Sequence, residues 1–130
     1  MNPKKRAYFD RQVDWVVKRL PERIQQMLDV IPLYVEDRPS RRQMRELDVE
    51  HPNDLCGCFV GVTEGDRHQY QARHPNVIMI FRGGIFEAAA DDEGYCETKG
   101  LREQIRVTIM HELAHFVGFD EDELAELGYG

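Results

Sequence analysis

His111-Glu112-Leu113-Ala114-His115-Phe116-Val117-Gly118-Phe119-Asp120-Glu121 is the stretch whose reading decides this chain. It has the form HExxHxxGxxE. On a helix, residues four apart share a face, so His111 and His115 can hold one cation between them. Glu112 occupies the position from which a carboxylate takes a proton from a metal-bound water. Gly118 permits the left-handed residue that ends a helix and turns the chain back. An acidic side chain just beyond that turn would then complete the metal site. At this chain's own His and Glu frequencies, a bare HExxH arises by accident about once in fifty such chains. The added Gly and acid lower those odds to roughly one in several thousand.

The helix predicted around this motif runs from about Leu101 to Val117. Leu101, Ile105, Val107, Ile109, Met110, Leu113, Ala114, Phe116 and Val117 leave little of it polar, so its second half is expected to be buried. Buried imidazoles need partners for their ring nitrogens, and a shared metal would give one to each of His111 and His115. Core histidines bonded to backbone are the plainer alternative, but Glu112 and Gly118 in register favour the metal.

A catalytic zinc typically takes three protein ligands and leaves one position for water. The third donor is expected from the acidic cluster after the turn or from upstream. Glu121 stands at the spacing where the longer HExxHxxGxxH pattern places its third His. Asp120 and Asp122 flank it and could serve instead. The plainer reading, a negatively charged start to a last helix over Glu121 to Leu127, is compatible with either. His51, His68 and His74 lie in polar, loop-like segments and read as surface residues. Tyr129, close behind the motif, could fold beside the metal.

Outward from the motif, 130 residues fit one domain, taken as 1–130, with room for a real core. No apolar run is long enough to span a bilayer. The start, Met1-Asn2-Pro3-Lys4-Lys5-Arg6, leads into Tyr8-Phe9-Asp10-Arg11 rather than an apolar signal segment, so a cytoplasmic location and no membrane partner are expected. Three cysteines, Cys56, Cys58 and Cys96, are an odd number, which argues against a disulfide framework. Cys56-Gly57-Cys58 reads as small strand residues alternating with Phe59 and Val60 rather than as a metal or redox pair. A net charge of −7 argues against nucleic acid as a partner. The basic stretch Arg38 to Arg45 and the acidic one Asp120 to Glu126 read as solvated surface.

Phe9, Val13, Val16, Val17 and Leu20 follow helical spacing up to Pro21, and a second helix with Ile24, Met27 and Leu28 starts at Pro21-Glu22. Ile31 to Asp37 alternates like a strand. Residues 38–54 are charged and read as an exposed loop. Cys56 to Thr63 is a second strand. Asn76 to Arg82 (NVIMIFR) is the clearest strand, bounded by His74-Pro75 and Gly83-Gly84. Ile85 to Ala90 reads as a short helix and Asp91 to Gly100 as a loop or frayed helix start.

The run Gln104 to Tyr129 (QIRVTIMHELAHFVGFDEDELAELGY) closely resembles the small, single-domain bacterial zincin-like metallopeptidases, ending in their Leu-Gly-Tyr. Weaker similarity extends through NVIMIFRGGIF and LPERIQQMLDVIPLYVED. The resemblance implies an α+β minimal zincin fold: two N-terminal helices, a small mixed β-sheet and a central HExxH helix. It implies zinc as cofactor, His111 and His115 as zinc ligands, and Glu112 as general base. The family usually has Asp where this chain has Glu121. Larger zincins with His there support the metal from a later Met-containing turn; no Met follows Met110, and the family's terminal Tyr, here Tyr129, stands in its place.

The expected function is therefore a zinc-dependent hydrolase, a metallopeptidase acting on a peptide or protein substrate. NVIMIFR is the expected edge strand for pairing with it. No second subdomain forms the far wall of a cleft, so a homodimer or partner protein could supply one. That gap also motivates an alternative: a non-catalytic peptide- or protein-binding or regulatory module that keeps the fold. A purely structural zinc site fits less well, since such sites take four protein ligands and often use Cys.

Overall fold

A computed structural model describes residues 1–61 and 76–117. Pro3 occupies the first helical turn, and Asn2 caps it by accepting a hydrogen bond from the Lys5 amide at 2.8 Å. This starts α1 (Pro3–Val17), whose Phe9, Val13 and Val16 are buried together with Leu20 beyond its end. Helix α2 (Glu22–Val30) follows Pro21, with Ile24 fully buried and Met27 and Leu28 packed partly against the core. Strand β1 (Leu33–Glu36) comes next.

The segment expected to be an irregular loop is instead partly helical. Helix α3 (Arg41–Glu46) is opened by a reciprocal box. The Ser40 hydroxyl accepts from the Gln43 amide at 3.0 Å, and the Gln43 side chain accepts from the Ser40 amide at 2.9 Å. A 3-10 turn at Pro52–Asp54 leads into β2 (Gly57–Gly61). Then come β3 (Asn76–Phe81), α4 (Arg82–Ala89) and α5 (Thr98–Val117).

The three described strands form one mixed sheet in the order β1-β3-β2. β3 runs parallel to β1 and antiparallel to β2, pairing Leu33 with Ile78 and Cys58 with Met79. This corrects one expectation: NVIMIFR is the central strand, not an edge. Its residues 77–81 are nearly all inaccessible, because both flanks are paired and both faces covered. Ile78 and Ile80 face the core made with α1, α4 and α5; Val77, Met79 and Phe81 face the other side, where the Gln43 amide of α3 reaches the Met79 sulfur at 3.1 Å. The architecture is α+β, with most helices on one face of a small mixed sheet.

Helix α5 packs against β2, β3, α1 and α4. The approach of β2 is close enough to require Gly57, where a Cβ would lie 2.8 Å from the Thr108 methyl and 2.9 Å from the Met79 carbonyl oxygen. Toward its start, α5 is held to α1 by Tyr8 and Thr98 (2.6 Å), by Arg102 donating to buried Gln12 (2.8 Å), and by the Arg102 guanidinium 3.8 Å from the Trp15 ring centre. These contacts fix the first half of the helix, so the segment with His111 and His115 projects from a clamped stem.

A second clamp joins α1, β1 and α4. Arg82 is bidentate to Asp10 (3.0 and 2.9 Å) and reaches Asp37 (3.0 Å), which also accepts from Arg6. The Arg6 hydrogen bonds hold the Asp37 carboxyl below its ordinary range, helped by Arg82 and opposed by burial. A carboxylate whose folded pKa is depressed contributes stability above its unfolded pKa and loses it as pH falls through the folded value. Asp37→Asn should therefore lower the melting temperature at pH 7. The gap to wild type should close as the pH drops below the ordinary carboxylate range, as read by thermal melts from pH 7 to pH 2.

Candidate metal centre

At 3.6 residues per turn, Leu101, Ile105, Ile109 and Leu113 make one drifting stripe on α5, and Met110 and Ala114 widen it. All six are buried. His111 and His115 fall on the opposite side, about 40° apart around the axis, and both are exposed. The expectation that both imidazoles are buried is thus corrected: the apolar residues are numerous, but they cluster on one side and leave the histidine face open. The sharing of one face holds, and both side chains stand where an ion can reach them from solvent.

Glu112 lies at the margin of the buried stripe and is half-buried. Burial raises its carboxyl above the ordinary range, and the nearby charges of His115 and His111 act in the opposite direction. The group is thus a carboxylate kept partly out of water beside two imidazoles, which suits it to accept a proton.

Cys58 on β2 falls within reach of Glu112's charge. Its thiol is pushed up to about 12, chiefly by burial and further by Glu112. Sequence reading placed Cys58 correctly in a strand but did not foresee its nearness to Glu112, because nothing in the residue pattern sets β2 beside the motif rather than β3. The close Gly57–Thr108 contact is the device that does so. All three cysteines are free thiols, as expected.

Two imidazole donors on one exposed helix face, four residues apart, fit a divalent metal of zinc's kind. Among the described residues, no third His, Cys, Asp or Glu joins them. Glu121, Asp120, Asp122, Gly118 and Tyr129 lie outside the described residues, as do His68, His74 and the expected last helix. His51 is exposed, as predicted.

The sequence profile of the zincin-like metallopeptidases matches residues 28–130, more than three quarters of the chain. The chain belongs to that family. Among curated proteins, none matches it at a significant level. The zincin-like family typically implies zinc, and the helix that carries the paired histidines is here the longest described element. No described helix is long and apolar enough to cross a membrane.

Proposed function

We propose that this zincin-like protein is a zinc-dependent peptidase in which Glu112 is the general base. The observation that carries the reading is the α5 arrangement: His111 and His115 exposed on one face, with half-buried Glu112 beside them and raised by burial. His111 and His115 would hold the ion, with Glu121 as third donor at the matching sequence spacing and Asp120 or Asp122 as substitutes. When bound, zinc supplies Lewis-acid polarisation of the scissile carbonyl and acidifies water.

The chain's own residues do the rest. Glu112 takes a proton from the attacking water, holds it, and delivers it to the departing amine nitrogen, so the same carboxyl acts first as base and then as acid.

The test is a diverse peptide library incubated with zinc-loaded protein and read by mass spectrometry. Cleavage that stops on chelation and returns with added zinc is the expected result. A zinc-loaded chain that cuts nothing, yet enriches particular peptides, would instead favour the non-catalytic binding module.

A further inference from the structure

Across the sheet from the motif, β1 forms the other edge. A groove of about 790 Å³ runs beside it, walled by α1 and α2. Its apolar wall includes Val13, Leu33 and Val35, and its rim carries Asp14, Glu22 and Asp29. We propose that this groove takes an extended basic segment of a partner polypeptide, which adds to β1 as a further strand.

The backbone supports strand addition. The Ile78 amide donates to the Pro32 carbonyl at 3.0 Å, so Pro32 points toward β3. Successive peptide groups alternate across a strand, and the amides and carbonyls of Leu33 and Val35 therefore point away from β3. Both residues line the groove, and among the described residues no strand pairs with that side. An edge so placed is a template for an incoming extended chain.

Charge selects the occupant. The groove holds four carboxylates against one guanidinium, and that guanidinium, Arg82, is only 12% exposed and is already bonded to Asp10 and Asp37. Asp14, Glu22 and Asp29 are exposed on the rim. Only alternate side chains of an added strand face α1 and α2; long cationic ones there lay their methylene stems along the Val13, Leu33 and Val35 wall and bring their charges to this rim. An acidic or purely apolar segment gains no such match.

The surface is separate from His111 and His115, so this inference and the peptidase reading stand or fall independently. The probe is a fluorescein-labelled Lys-Val-Lys-Val-Lys-Val peptide, titrated into the full chain by fluorescence anisotropy and checked for integrity by mass spectrometry. Saturable binding should weaken as salt is raised from 50 to 300 mM on the order of the screening expected for exposed charges. It should also be lost when alternate peptide amides are N-methylated. The double substitution Asp14→Lys/Asp29→Lys, at exposed positions, should weaken it at least about tenfold, with an unchanged melting temperature, and should confer binding of the Glu-Val counterpart. Equal binding of both peptides by the wild-type chain, no loss on N-methylation, or no effect of the double substitution would overturn the proposal. So would concentration-dependent self-association abolished by the double substitution, which would make a second copy the occupant.

Discussion

Replacing Glu112 by glutamine is expected to lower peptide turnover by about a hundred- to ten-thousand-fold, the usual contribution of a positioned general base, while zinc content stays unchanged. Glutamine keeps the shape of the side chain and can still hydrogen-bond a water, but it cannot accept its proton. The substitution also removes a charge that burial disfavours, so the fold should survive. His111 and His115 keep their places one turn apart on the exposed face of α5. The measurement is initial cleavage rate together with metal content on the same preparations. Full activity with zinc bound would contradict the role given to Glu112. Loss of zinc together with activity would make Glu112 a ligand rather than a base.

The largest effect on stability is expected at Gly84. A Cβ there would run into the backbone of Leu55, with the carbonyl carbon 2.7 Å away and the Cys56 nitrogen at 3.2 Å. These are main-chain atoms in the turn that leads into β2, and no side-chain rotation can make room. Gly84→Ala should therefore cost at least about 3 kcal/mol, the upper range for overpacking in a tight core. The modest helix-propensity gain of alanine offsets only part of it. Denaturant titration should show the midpoint falling with an unchanged slope. Because α4 sits between that turn and α5, the motif helix should loosen as well. Gly100→Ala is the control: its Cβ would find nothing nearer than the Ala89 carbonyl oxygen at 3.7 Å, and it should stabilise α5 by about 0.5–1 kcal/mol. Equal destabilisation by both substitutions would show that packing against Leu55 is not what Gly84 provides.

Much of this architecture was legible in the residues, because local signals and tertiary demands agreed. The spacing of Phe9, Val13 and Val16, the breaks at Pro21 and around Gly83, and the apolar run 76–81 each named an element that the structure contains. Two misreadings have identifiable causes. The arginine-rich stretch from Arg38 hid the capping box of Ser40 and Gln43, so a helix with no buried residue passed for loop; the box was in the sequence, but hydrophobic periodicity was not. Strand order was the second. NVIMIFR is expected as the edge that pairs with a substrate, whereas a strand apolar on both faces is one that is covered on both, hence central.

Glycines carry the same lesson. Gly83-Gly84 read as a strand terminator, and Gly57 as a small strand residue. In the structure, Gly57 and Gly84 are places where main chain or a neighbouring helix approaches too closely for any side chain. A single sequence shows that glycine is present but not what presses against it. Within the motif, helical spacing gave the shared face of His111 and His115, while their exposure depended on which side of α5 meets the sheet. That choice is made by Gly57 against Thr108 and by the α1 clamp at Gln12 and Tyr8, contacts between segments far apart in the chain.

The central claim is that the exposed histidine pair of α5 holds zinc. Its most direct test is metal analysis and competitive zinc titration of tag-free protein, with His115→Ala measured alongside. One tightly held zinc per chain, lost in the substituted protein whose fold is retained by circular dichroism, is the predicted result. No zinc after reconstitution, or zinc held equally well without His115, would contradict it.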